Sequence, residues 1–324
     1  FLDVEKINLR FKDEFKDVFE KFLKSGKTIL SEQTEAFEKE YAKFCGTKYC
    51  VGVSNALDGL HLVLRAWNIG KDDEVIVPNF TFAATINAVL HLGAKPILVD
   101  CENDTWTIDL NKASKLITKK TKAIIPVHIY GQPAKIDEII KFAKRKKIFV
   151  IEDCAEALGS TYKKRKVGLD GHCTTFSFFP NKLITTGEGG MAVFRSLKNS
   201  LKARILLNQG RSVKKNYWHD FAGFNFRMTN LQAAVGVAQL KRISFLLKSR
   251  KIIFHNYDKL FKNNSLIGLL PKNNWSTNSY WFYTILISNI GEFRRDKLMK
   301  ILNLKGIETR PGFYPLNSMK PYKK

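Results

Sequence analysis

Residues 74–100 read EVIVPNFTFAATINAVLHLGAKPILVD, and this stretch decides the fold. It opens with an apolar β-type run at 74–78, passes through a helical pattern at 83–92, and closes on a second apolar run at 96–100. Two strands apolar on both faces, joined by a helix long enough to cross back over them, form a βαβ unit. The alternation continues outward in both directions. Further β-type runs lie at 49–53, 123–128 and 149–154, separated by helical patterns at 57–67, 110–117 and 136–144. The expected fold class is therefore α/β, with a mainly parallel sheet.

Two charged amphipathic helices, at 13–23 and 33–44, precede the alternation. Beyond it, β-type runs at 174–179 and 191–194 flank a glycine-rich turn, and a helix-rich stretch covers 197–256. A β-type run at 280–287 and a helix near 293–302 then suggest a smaller α+β domain. The expected division is a large domain of residues 1–250 and a small one of 251–324.

A chain of 324 residues with 44% hydrophobic and 12% aromatic residues can bury a sizeable core. Its formal net charge of +24 invites the idea of a nucleic-acid binder. The basic residues, however, fall in short scattered runs such as Lys144-Arg145-Lys146-Lys147 and Lys163-Lys164-Arg165-Lys166, with no interleaved aromatic stripe, which favours a solvated lysine-biased surface. The five cysteines are odd in number and dispersed, as reduced intracellular thiols are. His172 adjoins Cys173, but no further ligand follows at a zinc-type spacing, so no metal is expected. Phe1-Leu2-Asp3-Val4-Glu5 lacks the pattern of a signal peptide, and the longest apolar window, 75–99, is broken by Pro78, Asn79, Asn87, His91, Gly93 and Pro96. A cytoplasmic protein without a membrane span is the expectation.

The chemistry is expected around Ser177-Phe178-Phe179-Pro180-Asn181-Lys182, followed by Thr185-Thr186-Gly187-Glu188-Gly189-Gly190. Lys182 leaves an aromatic strand end five residues after a serine and enters a turn whose glycines admit a ligand to the backbone. Desolvation there would lower the lysine's pKa and make it a Schiff-base nucleophile. Four apolar residues at 148–151 run into Glu152-Asp153 at the carboxyl end of a predicted strand, where open α/β sheets place their ligands. A buried carboxylate at this point could keep a pyridine nitrogen protonated, which pyridoxal phosphate (PLP) needs as an electron sink. Val51-Gly52-Val53-Ser54-Asn55-Ala56-Leu57-Asp58 is a strand passing into a helix whose first N–H groups could hold a phosphate, without any dinucleotide or P-loop motif.

These residues, with the stretches PVHIYGQ, VIEDCAEALGS, FSFFPNKLITTGEGG and FNFRMTNLQAAVGVAQL, resemble the DegT/DnrJ/EryC1/StrS family of sugar aminotransferases over essentially the whole chain. The resemblance implies the aspartate aminotransferase-like fold of type I PLP enzymes. It also implies a homodimer with shared active sites, L-glutamate as amino donor and a nucleotide-sugar acceptor. It makes Lys182 the residue that carries PLP and Asp153 the partner of the pyridine nitrogen. Glu156 falls beside the cofactor's phenolic oxygen, where the family often has Gln or His, and Phe82 stacks on the ring. Ser177 and the N–H groups of Ala56 and Leu57 hold the phosphate, and Asn225 reaches it from the other subunit. Some relatives are dehydratases with histidine in place of the lysine, which Lys182 argues against.

Two subfamilies remain in view. The run GVSNALDGLHLVLRAW is similar to enzymes that aminate 3-ketosugars, whereas TTGEGGMAVF, YWHDFAGFNFRMTN and GIETRPGFYPLNSMKPY are similar to enzymes that aminate 4-keto-6-deoxysugars. The second group lies nearer the expected sugar pocket, so a GDP-, dTDP- or UDP-linked 4-keto-6-deoxyhexose is the expected acceptor. Arg227, Arg310 and His219 are candidates for its anionic groups, and Tyr314 and Trp281 for packing on sugar or base. A PLP-binding sensor without catalysis is a further alternative. Relatives usually continue past the point where this chain reaches Lys324, so the small domain is expected to be abbreviated or to lack residues.

Overall fold

The computed structural model describes residues 3–287 and 291–323. Phe1 and Leu2, from the stretch read for a signal peptide, and Lys324 lie outside them. Seven strands make the central sheet: β1 (Tyr49–Val53), β2 (Glu74–Pro78), β3 (Lys95–Val99), β4 (Thr121–Ile124), β5 (Phe149–Asp153), β8 (Cys173–Ser177) and β9 (Gly190–Phe194). Between β5 and β8 lie the two-residue strands β6 (Thr161–Tyr162) and β7 (Arg165–Lys166), which pair with β11 (Ser276–Thr277) in a separate small sheet. The helices up to this point are α1 (Val4–Leu9), α2 (Lys12–Ser25), α3 (Glu32–Cys45), α4 (Ala56–Ala66), α5 (Ala83–Leu90), α6 (Leu110–Lys115) and α7 (Ile136–Lys146). After the sheet come α8 (Leu197–Leu207), α9 (Asn230–Leu240), α10 (Ile243–Phe261), β10 (Ile267–Leu269), β12 (Ile285–Ile287) and α11 (Gly291–Leu304).

The sheet order is β1-β9-β8-β5-β4-β2-β3. The pairs β2–β3, β2–β4, β4–β5 and β5–β8 are parallel, as the βαβ reading requires. β9 alone runs against its neighbours, pairing antiparallel with both β8 and β1. That is possible because β8 and β9 are joined by a hairpin-like loop and not by a crossover helix. Every residue of β2, β8 and β9 is buried, which explains why these strands read as unbroken apolar or small-residue runs. One layer of the core packs Phe37 and Tyr41 of α3 against Phe176 and Phe178. The other packs Leu60, Leu62 and Leu64 of α4 with Val53, Val77 and Phe194.

Three of the expected elements are corrected. The run at 123–128 forms a strand only at Thr121–Ile124, because Pro126 has no N–H to continue the ladder. The run at 280–287 is a strand only at Ile285–Ile287, since Tyr280 has φ of 61°, outside extended backbone. The helix-rich stretch is interrupted over 208–229, where isolated bridges join Asn208 to Asn225 and Arg211 to His219. A Cβ on Gly210 would lie 1.9 Å from the carbonyl oxygen of Phe221, so this segment closes on itself at a residue without a side chain. Residue 250, where the division was expected, lies inside the continuous helix α10. Among the described residues no helix is long and apolar enough to cross a membrane.

Gly190 opens β9 directly against the start of α4. A Cβ there would meet the backbone of Phe176, Asn55 and Ala56 at 2.8, 2.9 and 3.0 Å. These are backbone atoms in packed elements and cannot swing aside. Gly190→Ala should therefore lower the unfolding free energy by about 2 kcal/mol, read from the midpoint of a urea melt.

Candidate active site

Successive side chains on a strand point to opposite faces, and β5 ends on two acids. Both are buried, Glu152 completely. Glu152 Oε2 pairs with Nε2 of buried His128 at 3.0 Å, and its carboxylate also accepts the N–H groups of Gly168, Asp170 and Gly171 at 3.1, 3.1 and 2.6 Å. Although burial opposes the charge, His128 and these donors hold its pKa below the usual value. Nδ1 of His128 accepts the N–H of Ala134, so Nε2 bears the proton that goes to Glu152. Cys154 Sγ completes a cluster whose possible ligand atoms lie within 4.8 Å of one another. His128 and Glu152 have spent their hydrogen-bonding capacity on protein partners, so the cluster reads as structural.

Asp153 has a different set of partners. Its Oδ2 accepts the hydroxyl of Thr85 at 2.8 Å, and its Oδ1 the N–H of Ala155 at 3.1 Å. Thr85 is in turn 3.0 Å from the hydroxyl of Thr81, one turn back near the start of α5. Burial pushes the pKa of Asp153 up, while Ala155, Thr85, Lys182 and His128 favour the charged form.

Lys182 lies in the loop between β8 and β9, which is closed by bonds from Phe178 N to Gly189 O at 2.9 Å and from Thr186 N to Phe178 O at 3.0 Å. Its Nζ is 4.0 Å from Oε1 of buried Glu156 and 3.6 Å from the ring centroid of Trp281. Trp281 is itself buried, and its indole N–H donates to the carbonyl of Asn181 at 2.9 Å. Burial lowers the pKa of Lys182, and the charges of Glu156 and Asp153 only partly restore it. Glu156 shifts the other way, pushed up to about 7 by burial against the opposing pull of Lys182 and the N–H of Tyr130. Burial thus moves the two proton affinities toward each other, that of the amine down and that of the carboxyl up.

The remaining expected residues fall into two groups. Ser177 is buried at the end of β8, and Ala56 and Leu57 open α4, where first-turn N–H groups have no intrahelical acceptor. Asn55 caps that helix by accepting from Asp58 N at 2.8 Å. Phe82, at the N-cap of α5, is 59% exposed, with its ring 5.7 Å from that of Phe313. Asn225 and Arg227 belong to the 208–229 segment, Asn225 exposed and Arg227 donating to Asn208 Oδ1. His219 is also there, exposed, with Nδ1 2.8 Å from the carbonyl of Gln209. Arg310 pairs with Glu308 at 3.2 Å, and Tyr314 OH accepts from Arg295 at 3.0 Å.

The structure adds residues that were given no role. Tyr130 donates its N–H to Glu156 Oε2 at 2.6 Å, its hydroxyl accepts the N–H of Phe313 at 3.0 Å, and its ring stacks on Trp281 and Phe313. Its φ of 49° is unusual for a residue other than glycine and turns its N–H onto the carboxylate. Ser279 bonds to the carbonyl of Glu156 at 2.8 Å, tying the 276–283 segment to the same loop. The only sequence signals were the apolar-to-polar switch in PVHIYGQ and the i, i+4 spacing of Thr81 and Thr85.

A mostly parallel sheet with Asp153 at the end of β5 and the largely enclosed amine of Lys182 beside Glu156 belongs to an α/β enzyme. A model of the DegT/DnrJ/EryC1/StrS aminotransferase family matches residues 10–324, and the chain belongs to that family. GDP-perosamine synthase of Caulobacter vibrioides is 43% identical over 287 residues, covering 88% of this chain and 77% of that protein. The dTDP-3-amino-3,6-dideoxy-alpha-D-galactopyranose transaminase of Aneurinibacillus thermoaerophilus is 39% identical over 264 residues, covering 81% of this chain and 72% of that protein. The solved structure of S. venezuelae DesV in complex with a ketimine intermediate superposes with a TM-score of 0.94 at 32% identity, covering 99% of this chain and 85% of that one. The fold is that of the type I PLP enzymes.

Glu156 has a folded pKa of about 7 against an ordinary 4.5. A raised carboxyl pKa adds stability that is complete below the unfolded value and lost as pH rises through the folded one. Between pH 5 and pH 8 the cofactor-free protein should lose stability relative to Glu156→Gln. Chemical denaturation of both proteins at the two pH values measures it.

Proposed function

We propose that this chain transfers an amino group from L-glutamate to a nucleotide-linked 4-keto-6-deoxyhexose, giving a 4-amino-4,6-dideoxysugar. The chain is a PLP-dependent sugar aminotransferase. The observation that carries this reading is Lys182, desolvated between the Glu156 carboxylate and the face of Trp281 at the edge of the sheet that ends in Asp153. The residues present fit the cofactor. A buried carboxylate with two donors already in place, a buried amine of lowered pKa, and a helix start pressed against Gly190 are what its ring nitrogen, aldehyde and phosphate require.

When bound, PLP supplies an electron sink that makes a C–H bond next to the reacting nitrogen acidic. The chain's own residues do the rest. Lys182 in its neutral form is the nucleophile that carries the cofactor; once released, it is the base and then the acid that moves the proton in each half of the exchange. Asp153, held by Thr85 and Ala155, holds the protonated ring nitrogen. Glu156, whose pKa is about 7, lies 4.0 Å from that amine and would stand beside the bound cofactor. The N–H groups of Ala56 and Leu57 with Ser177 hold the phosphate, and Phe82 covers the ring.

Asn225 reaches the phosphate of the second subunit in a homodimer, and its exposed position supports that role. Arg227, Arg310 and His219 meet the nucleotide's phosphates, and Tyr314 and Trp281 the sugar or base. Residues 1–250 hold the cofactor and 251–324 form the small domain, in a cytoplasmic enzyme. The 4-keto assignment rests on the 43% identity with a GDP-perosamine synthase; the 39% identity with a 3-amino-sugar transaminase keeps the 3-keto isomer as the comparison substrate.

Lys182→Ala should cut turnover by about 10³-fold or more, with the far-ultraviolet circular dichroism unchanged. The wild type, assayed with glutamate and GDP-, dTDP- and UDP-4-keto-6-deoxyhexoses, should prefer one of these over a 3-keto isomer in kcat/KM. Preference for the 3-keto isomer would overturn the assignment.

A further inference from the structure

The chain has two four-residue basic runs that the site does not use, 144–147 and 163–166, and the structure treats them differently. In 163–166, Lys163 and Arg165 both bond to Asp137, at 2.9 and 2.5 Å, and Arg165 also reaches Asp170 at 3.4 Å. Lys166 donates to the carbonyl of Phe44. In 144–147, at the C-terminus of α7, Lys144 and Lys147 have no acidic partner among the described residues. They are exposed and, with exposed Arg195, rim a cavity of about 440 Å³.

The floor of this cavity is apolar: buried Ala143 and Ile148, with half-buried Ile140 and Phe149. His172 forms one wall, its ring edge-on to Phe149 with centroids 5.4 Å apart and planes at 89°. Its Nδ1 accepts the N–H of Val150 at 3.0 Å. Partial burial and the charge of Arg195 hold its pKa below the ordinary value, and with Nδ1 accepting from Val150 the ring presents Nε2 as its remaining polar atom. Asp170 is the one acid of the lining; its carboxylate is taken by Arg165 and its carbonyl accepts from Arg195 at 3.2 Å.

We propose that this cavity binds a nucleoside phosphate, its flat base in the corner made by Phe149 and His172 and its phosphate among Lys144, Lys147 and Arg195. Three cations over an apolar floor match an anion joined to a flat aromatic ring, whose faces can pack on that floor. A bare inorganic anion would leave the floor uncovered, and a neutral ring would leave the cations without a counter-charge. The place is remote from Lys182. Phe149 opens β5 and Asp153 closes it, four residues or roughly 13 Å further along the strand. Free nucleotide and the nucleotide end of a nucleotide-sugar offer the same chemistry here.

The test uses holoenzyme carrying ¹³C-labelled histidine, with the His172 resonance assigned from His172→Gln, titrated with GMP, guanosine, inorganic phosphate and a GDP-linked hexose. The His172 resonance should shift saturably with GMP, and at least about tenfold less tightly with guanosine or phosphate. Reversing charge in Lys147→Glu/Arg195→Glu should weaken the GMP effect at least tenfold; if that protein does not fold, Lys147→Gln and Arg195→Gln singly should each weaken it several-fold. A GDP-hexose that shifts the resonance as GMP does identifies the nucleotide end as sufficient. A resonance unmoved by GMP, moved equally by phosphate alone, or moved as before in the charge variants would overturn the proposal. Binding at the Lys182 site leaves the His172 signal in place, so the outcome is independent of the proposed transamination.

Discussion

Two adjacent carboxylates buried at the end of one strand would repel each other strongly in a low-dielectric interior, and the fold depends on how this is resolved. The pleat of β5 sends Glu152 and Asp153 to opposite faces. Glu152 keeps its charge, satisfied by three backbone N–H groups and the ring of His128, and so fixes the turn between β7 and β8. Asp153 keeps only Thr85 and Ala155, with Lys182 as the nearby positive charge. One acid is consumed in holding the sheet to its loops, and the other is left available for chemistry.

The same economy of partners runs through the site. Glu156 is buried and Lys182 largely enclosed 4.0 Å away, and burial moves their proton affinities toward each other. The amine reaches a reactive state because desolvation outweighs the two carboxylates that would keep it charged. Trp281 enforces that desolvation and is fixed from two sides, by the Asn181 carbonyl on its indole N–H and by Arg250 on its own carbonyl at 3.0 Å.

Much of this was legible in the sequence because strong local signals and the fold agree. Tyr49–Val53 and Glu74–Pro78 were readable to the residue, since both are short β-branched or apolar runs bounded by polar residues or proline. Lys182 stood out through its serine and glycines. The rest depends on contacts distant in the chain. Nothing near Lys182 in sequence announces Trp281, a hundred residues later. The strands β6, β7 and β11 are two residues each and have no periodicity to detect. Tyr130 takes a left-handed conformation that no residue pattern advertises, because the carboxylate it serves lies 26 residues away. The segment 208–229 falls within the stretch expected to be helix-rich, but Gly210 and the bridges across it make it a folded loop.

The position of β9 bears on the order in which the molecule can be assembled. β1 is the edge of the sheet and has β9 as its one neighbour there, with Tyr49 opposite Phe194. On a ribosome, β2 through β5 find parallel partners as they emerge, but β1, made before any of them, has nothing to pair with until residue 194 has been synthesised. The helix start that follows β1, with the N–H groups of Ala56 and Leu57, is therefore brought to the lysine-bearing loop only when the strand closing that loop arrives. An early-made part of the active site thus waits for a strand made about 140 residues later.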